Sequence, residues 1–215
     1  MLQMTLNSLE EDLIIDGPDA WSNLVAALNN RVSTTIHHDK EPYPFLTSLR
    51  SLLDWLPKEE VLKGLETFAS DNVGDYEFLL YHSINLELES ISRTYLFLDH
   101  SGPLSIIGYF TMGTSHLSFS DIGVADRLLP EVWTKDSVVP TFAIWKLCPG
   151  KDCHVTSSEM LAYAISMIKF AYHRTGCRFV RTDCIHSDSK IYEDTGFRFI
   201  RTDSRGERDQ LLLVL

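Results

Sequence analysis

The sequence predicts an α/β (α+β) fold: a mixed, mostly antiparallel central sheet with helices on both faces, preceded by a helical N-terminal extension. The central observation is an apolar run, SVVPTFAIWKL, that is followed by a capped helix and a second strand, CRFVRTDC. A strand, a crossover helix and another strand in this order imply two neighbouring parallel strands. Short strands separated by turns on either side of this unit predict antiparallel hairpins.

Residues 1–75 are expected to form an acidic helical extension in front of a domain that spans residues 76–215. They hold 5 basic and 13 acidic residues, so they carry −8 of the net charge of −11. Apolar residues at helical spacing predict helices over PDAWSNLVAALNNR, PFLTSLRSLLDW and PKEEVLKGLETFA, with Pro57 as the first residue of the last one. These helices are expected either to cap the sheet or to dock a protein partner or a second copy of the chain.

The remaining elements follow in order along the chain. DYEFLLYHSINLELES keeps helical spacing, and SRTYLFLD, HSGP and LSIIGYFTMGTSHLSF then predict a hairpin over residues 92–119. The central strand, residues 138–147, precedes a helix over 156–175 that begins with a Thr156–Glu159 capping box and ends at Gly176. A strand over 178–184, a short helix KIYEDTG and a final hairpin, FRFIRT with DQLLLVL, complete the prediction.

Composition limits the classes of protein that the chain can belong to. No apolar run reaches the roughly 18 residues that a bilayer span needs, and the N-terminus lacks the features of a secretory signal, so we expect a cytoplasmic protein. The cysteines Cys148, Cys153, Cys177 and Cys184 have no zinc-module spacing, and we expect no metal. A site built from Cys148, Cys153, His154, Cys184 and His186 stays an alternative. Nucleic acid is not the expected partner, although 9 basic residues face 6 acidic ones between residues 169 and 208.

The C-terminal two thirds resemble a known family. YEDTGF is similar to the Tyr-Glu-x-x-Gly-Phe signature of the GNAT superfamily of acyl-CoA-dependent N-acyltransferases, and SRTYLFLD with IIGYFTM resembles an uncharacterised bacterial subset of it. The resemblance covers roughly residues 76–215. It implies that the fourth and fifth strands splay apart, with the pantetheine arm in the gap and the pyrophosphate at the N-terminus of the helix between them.

The same resemblance implies an acetyltransferase that moves an acetyl group from acetyl-CoA, its co-substrate, to a primary amine. Tyr192 is expected to protonate the leaving thiolate, and the backbone of Trp145, Lys146 and Leu147 is expected to bind the acyl end of the cofactor and stabilise the oxyanion. The base stays open between water and four side chains, Glu87, Glu89, Asp183 and His116. The implied acceptor site includes the loop that holds Trp133.

The phosphate loop departs from the family pattern of Arg or Gln, two residues, Gly, one residue, then Gly or Ala. Asp152, Val155 and Ser157 stand at its three characteristic positions. Four nearby residues are therefore predicted to hold the cofactor phosphates instead: Gly150, Lys151, Ser157 and Ser158. Two alternatives remain, a GNAT-like binding module that has lost catalysis and a toxin-type acetyltransferase that acts on aminoacyl-tRNA.

Overall fold

The computed structural model of the protein describes residues 44–99, 104–118 and 138–215. Residues Pro44–Leu215 belong to one compact unit. Residues 44–75 of the expected extension lie within this unit. The predicted helix PDAWSNLVAALNNR, the turn HSGP and the loop around Trp133 lie outside the described residues.

Seven strands form one sheet in the order β1-β2-β3-β4-β5-β7-β6. Every neighbouring pair in it is antiparallel except β4 and β5, which are parallel. The mixed, mostly antiparallel sheet predicted from the sequence is therefore confirmed. The strands are β1 Phe45–Ser48, β2 Ser92–Asp99, β3 Ser105–Ser118, β4 Val138–Pro149, β5 Phe179–Ile185, β6 Arg198–Thr202 and β7 Arg208–Val214.

The helices lie before and between these strands. Helix α3 runs without a break through a π-helical turn, Phe78–His82, into α4, and a 3-10 turn, His186–Asp188, leads into α6. The predicted helix over residues 75–90 is confirmed, with the π-helical turn as an addition to it. The α-helices are α1 Leu49–Trp55, α2 Lys58–Leu65, α3 Val73–Glu77, α4 Ser83–Leu88, α5 Ser157–Thr175 and α6 Ser189–Glu193.

The start of the predicted helix PFLTSLRSLLDW is wrong. Residues Phe45–Ser48 form the edge strand β1, which pairs with β2 from Phe45 opposite Leu98 to Ser48 opposite Tyr95. The helix begins only at Leu49, because the Ser48 side chain caps it by accepting a hydrogen bond from the Ser51 N–H at 3.0 Å. The apolar residues before Ser48 fit a helical stripe, but pairing with the exposed edge of β2 determines their conformation.

Alternating residues along the strands separate two layers of helices. Leu96 and Leu98 of β2 pack with α1, α2 and α4, whereas Phe97 between them packs with α5. In β3, Tyr109 and Phe110 divide in the same way. Because successive side chains of a strand point to opposite faces, the helices cover both faces of the sheet, as predicted.

Helix α5 begins and ends at the residues that the sequence predicts. The Thr156 hydroxyl accepts a hydrogen bond from the Glu159 N–H, and the Glu159 carboxylate accepts one from the Thr156 N–H at 2.9 Å. Gly176 ends the helix in the left-handed conformation, with φ of 74°. Although α5 has 19 residues, neither it nor another helix of the described ranges is apolar over a length that crosses a membrane.

A buried carboxylate fastens α4 to β2. Glu87, with 0% of its side chain exposed, lies 2.5 Å from the Arg93 guanidinium and accepts a hydrogen bond from the Thr94 N–H at 2.9 Å. A buried charge is tolerated when it is paired and hydrogen-bonded in this way. Glu87 therefore holds the end of the helix against the sheet.

Replacing Glu87 by Ala is expected to lower the free energy of unfolding by about 2 to 3 kcal/mol, because the Thr94 N–H and the Arg93 guanidinium lose their partner. Urea denaturation of the wild type and the variant measures this difference. Glu89→Ala, at the exposed C-cap of the same helix, is the matched control and should change stability by no more than about 0.5 kcal/mol. Equal losses in both variants would contradict the role given to Glu87.

Candidate active site

The parallel strands β4 and β5 pair over only three residues of each strand and then separate. Phe142, Ala143 and Ile144 of β4 pair with Val180, Arg181 and Thr182 of β5. β4 continues to Pro149 and β5 to Ile185 beyond this pairing. The Thr182 hydroxyl donates a hydrogen bond to the Ile144 carbonyl at 3.1 Å, so it joins the strands at the point where they part.

A bulge in β4 coincides with this separation. Thr111 of β3 pairs with Lys146 and Met112 pairs with Ile144, so Trp145 has no partner on β3. The Trp145 ring lies over Gly113, where a β-carbon would come within 2.9 Å of it. From Trp145 onward, the backbone groups of β4 that point towards β5 are outside the sheet ladder. Free backbone donors next to a gap are what an oxyanion site requires.

A cavity of about 460 Å³ opens beside the separated ends of the strands. We call it the donor cavity. One wall is formed by Leu147, Pro149 and the turn that follows, and another by the start of α5 together with Ile191 and Tyr192. Ser70, Asp71 and Asn72, from the segment between α2 and α3, complete it together with Asp75 of α3. Five of the eight predicted site residues line it, namely Leu147, Gly150, Lys151, Ser157 and Tyr192. Trp145 and Lys146 lie on β4 beside it, and Ser158 lies in the first turn of α5.

Tyr192 is held firmly at the wall of the donor cavity. Only 6% of the residue is exposed, and its ring packs edge-to-face against Phe197, with 5.5 Å between the ring centroids. Gly196 ends the short helix with φ of 99° and so lets the chain turn back to bring Phe197 against the tyrosine. Burial raises the pKa of Tyr192 above its ordinary value, with the neighbouring Thr182 side chain acting in the opposite direction. The phenol therefore stays protonated near neutral pH.

Two backbone N–H groups of the predicted phosphate loop donate hydrogen bonds within the protein. The Gly150 N–H donates to the Ile107 carbonyl at 2.8 Å, and the Lys151 N–H donates to the Ala69 carbonyl at 2.9 Å. A β-carbon at Gly150 would lie 2.6 Å from the Ile107 oxygen, so only glycine fits there. The bulk of Val155 does not obstruct the loop, because its side chain is buried in the core with α5. The N–H groups of Ser157 and Ser158 precede the first hydrogen bond of α5, which Met160 donates to Thr156.

Charged side chains around the donor cavity are mostly paired. Lys151 lies 2.9 Å from Asp71, and Lys146 lies 2.7 Å from Asp75. Asp188 contributes a third carboxylate to the lining. The lysine charge around the cavity is therefore largely neutralised. An anionic ligand would depend mainly on hydrogen bonds from backbone N–H groups.

A polar cluster supports β4 on the side that faces α3. The Tyr109 hydroxyl donates to the Asp75 carbonyl at 2.8 Å, and its ring stacks on Phe78, with 6.3 Å between the centroids. Burial raises the pKa of the Cys148 thiol to about 12, with Asp75 adding to the rise. This thiol is therefore protonated and unreactive near neutral pH.

The four side-chain candidates for the base occupy different environments. Asp183 borders a second cavity, of about 210 Å³, beside the separation of the strands. Glu87 has both carboxylate oxygens engaged inside the protein. Glu89 and His116 are exposed, and neither is among the described residues that line the two cavities.

The cysteine and histidine side chains considered for a metal do not converge. Within residues 44–99, 104–118 and 138–215, no three histidine, cysteine, aspartate or glutamate side chains are placed to hold an ion. His186 instead forms a contact of 2.6 Å with the buried carboxylate of Asp209. Burial raises the pKa of the Cys184 thiol to about 11.

Two residues that shape the site, Asp75 of the donor cavity and Thr182 at the separation of the strands, could not be identified from sequence motifs. Asp75 reaches Lys146 across 71 positions of the chain, and Thr182 joins β5 to β4 across 38. Neither residue belongs to a recognisable motif. Only their positions in the sequence could have indicated them: Asp75 stands at the start of a predicted helix, and Thr182 lies in the strand that follows the capped helix.

The arrangement of strands and helices identifies the class of fold. A seven-stranded mixed sheet with a central parallel pair that separates, a capped crossover helix between these strands and a short helix bearing Tyr192 together constitute a GNAT-like fold. The structure of AtaT with acetyl-methionyl-tRNAfMet has this fold: it is 14% identical, with a TM-score of 0.63 over 80% of this chain and 94% of AtaT.

Two further solved structures are similar. AtaTR bound with AcCoA is 14% identical, with a TM-score of 0.58 over 80% of this chain and 93% of that one. A tyrosine-to-phenylalanine variant of KacT is 13% identical, with a TM-score of 0.59 over 80% and 95%. No protein-family model and no curated protein matches the sequence. At this identity the likeness establishes a shared fold.

The buried thiol of Cys148 gives a prediction for alkaline pH. Because its pKa is raised from near 9 to about 12 in the folded protein, the folded state retains a proton that the unfolded state loses between these values. Stability from this group is complete below pH 9 and falls as the pH rises towards 12, by up to about 1.4 kcal/mol per pH unit. Urea unfolding from pH 8 to pH 10.5 should show a flatter decline in Cys148→Ala than in the wild type. If the free energy of unfolding declined in parallel for the two proteins, the raised pKa of Cys148 would be refuted.

Proposed function

We propose that the protein is an acetyl-CoA-dependent N-acetyltransferase that transfers an acetyl group to a primary amine. The observation that carries this proposal is the position of Tyr192, a buried and protonated phenol on the wall of a cavity beside two parallel strands that separate. Support also comes from structures of the same fold, of which AtaTR is bound with AcCoA. The cytoplasm is the proposed location, because acetyl-CoA is an intracellular metabolite.

The proposed reaction needs a base for the amine, hydrogen-bond donors for the oxyanion and an acid for the leaving sulfur. The chain's own groups supply the last two. A neutral amine attacks the thioester carbonyl, and backbone N–H groups near Trp145 to Leu147 stabilise the oxyanion. The carbon–sulfur bond then breaks, and Tyr192 gives its proton to the sulfur. The amine loses one proton in forming the amide, and this proton restores Tyr192 through solvent, so protons and charges balance. Acetyl-CoA supplies the activated acyl group.

The donor cavity fits the cofactor unevenly. Leu147, Pro149 and Ile191 give it apolar walls suited to a pantetheine arm. For the phosphates, the N–H groups of Gly150 and Lys151 are already engaged, which leaves the Ser157 and Ser158 N–H groups with their hydroxyls as donors. The positive end of the α5 dipole favours an anion at the same place. Lys151 takes part through its side chain, shared with Asp71.

Aminoacyl-tRNA is a second candidate acceptor. AtaT, which has the same fold, forms a complex with acetyl-methionyl-tRNAfMet. The expectation that nucleic acid is not a partner therefore lacks support from the similar structures. AtaT also binds the antitoxin AtaR, which keeps a protein partner open for this chain. Acetylation of a purified aminoacyl-tRNA mixture, followed by identification of the modified amino acid, tests this candidate.

A binding module without catalysis is favoured by one observation, the neutralised charge of the donor cavity. Among the residues that the structure describes, three carboxylates, of Asp71, Asp75 and Asp188, line it together with one lysine, Lys151. Such a lining attracts polyanions weakly. Calorimetry with acetyl-CoA separates the hypotheses, because an enzyme binds the cofactor stoichiometrically and a degenerate module does not bind it at millimolar concentration.

Replacing Tyr192 by Phe removes the proposed acid and leaves the ring in place against Phe197. We expect kcat to fall by about 10² to 10⁴ while the Kd for acetyl-CoA stays the same, because only the proton transfer is lost. Release of free thiol from acetyl-CoA measures kcat, and calorimetry measures Kd. Tyr81→Phe, at a tyrosine that is 63% exposed, is the control and should retain full activity. A wild-type kcat in Tyr192→Phe would show that the phenol is not the acid that protonates the leaving sulfur.

Replacing Ser157 by Pro removes one of the two backbone N–H groups, those of Ser157 and Ser158, that precede the first hydrogen bond of α5, and it does so without breaking the helix. Proline is accepted at the first position of a helix, and Thr156 before it has φ of −70° and ψ of 155°, a conformation that suits the residue before proline. The Kd for acetyl-CoA should rise about tenfold or more, because a hydrogen bond to a charged phosphate is lost. Ser157→Ala keeps the N–H group and should have a smaller effect. Identical affinity of the wild type and the proline variant would place the phosphates elsewhere.

A further inference from the structure

A second cavity, of about 210 Å³, borders the point where β4 and β5 separate. We call it the acceptor cavity. It meets β4 at Trp145, whereas the donor cavity meets the same strand at Leu147, and the two share no lining residue. Any molecule in it therefore lies beside the backbone proposed to hold the acetyl group. Its polar lining comes from Ser115, Arg181, Thr182, Asp183 and Arg208.

The sheet register explains why three charged side chains meet there. Arg181 and Asp183 are two residues apart on β5, so they project from the same face. Arg208 of β7 pairs with Ile185, two residues further along, and projects from that face as well. One anionic and two cationic groups thus border a single small cavity.

The Arg181 and Asp183 side chains hold each other in place. The Arg181 Nε lies 3.1 Å from one Asp183 oxygen and Nη2 lies 2.8 Å from the other. Two parallel bonds of this kind fix the orientation of the carboxylate. The Asp183 side chain remains 37% exposed, so its oxygens have room to accept from a ligand as well.

The Arg208 guanidinium is free of such a partner within the part of the chain that the structure describes. Its backbone N–H and carbonyl bond to Asp203 in the turn before β7, whereas no ion pair or side-chain hydrogen bond engages its charge there. An unpaired arginine beside an oriented carboxylate offers two binding points of opposite sign. A ligand that satisfies both carries a positive and a negative group.

We infer that the acceptor is a primary amine that bears an anionic group of its own, a carboxylate or a phosphate. Its ammonium group binds Asp183 before deprotonation, and its anionic group binds Arg208. This inference rests on the proposed acetyl transfer and narrows the class of amine. The small volume of the cavity admits a compact molecule or the end of a larger one.

Matched amines separate the two binding points. Calorimetry with the acetyl-CoA-free protein compares 5-aminopentanoate with 5-aminopentanamide, and O-phosphoethanolamine with ethanolamine. We expect the anionic member of at least one pair to bind about tenfold more tightly than its neutral partner. The carboxylate pair and the phosphate pair identify which anion is preferred.

Two variants and one control complete the experiment. Arg208→Gln should abolish the preference for the anionic member, whereas Asp183→Asn should weaken both members of a pair equally, since both carry an ammonium group. Arg198→Gln, at an exposed arginine of β6 outside the cavity, should leave the preference intact. Equal binding of anionic and neutral amines by the wild type, or an unchanged preference in Arg208→Gln, would overturn the inference.

Acetyl transfer to the same amines distinguishes this inference from the proposed function. Transfer to neutral and anionic amines with equal kcat/KM would support an acetyltransferase and overturn the inference. The expected pattern of binding without transfer to any amine would support the assignment of the cavity and count against the proposed acetyl transfer.

Discussion

The limited pairing of β4 with β5 is the constraint on which the remaining architecture of the site depends. Parallel strands that stayed paired to their ends would satisfy their backbone groups within the sheet and leave no room between them. Here the ladder stops after Ile144 and Thr182, and the Trp145 bulge shifts the register of β4 at the same level. Both cavities border this opening, so one local departure from regular pairing accounts for the position of both.

The surrounding elements keep this opening from collapsing. On one face, Lys146 and Tyr109 fasten the start of α3 through Asp75. On the other, Tyr192 and Phe197 pack beneath α5 in the main core. Close-packed layers therefore support the separated strands from both sides. A preorganised gap reduces the cost of ordering a long ligand.

Local signals in the sequence predicted the parts of the site that depend on local chemistry. The capping box of α5 and the turn at Gly196 arise from residues within a few positions of each other, and both are found as expected. The strand at Phe45–Ser48 was missed because its conformation depends on pairing with β2, about fifty positions away. The charge environment of Lys146 and Lys151 was also missed, because Asp75 and Asp71 reach them from a distant part of the chain. Those ion pairs neutralise lysine charge beside the predicted phosphate loop and so weaken its attraction for an anion.

Thr182 occupies a position with a consequence for how two ligands bind together. Its hydroxyl bonds to the Ile144 carbonyl, it lines the acceptor cavity, and its side chain is the neighbour that acts to lower the pKa of Tyr192. A ligand that shifts this one side chain alters the surroundings of the tyrosine without contacting it. By linkage, a ligand in one cavity that changed the affinity of the other through this side chain would itself be affected by the same factor.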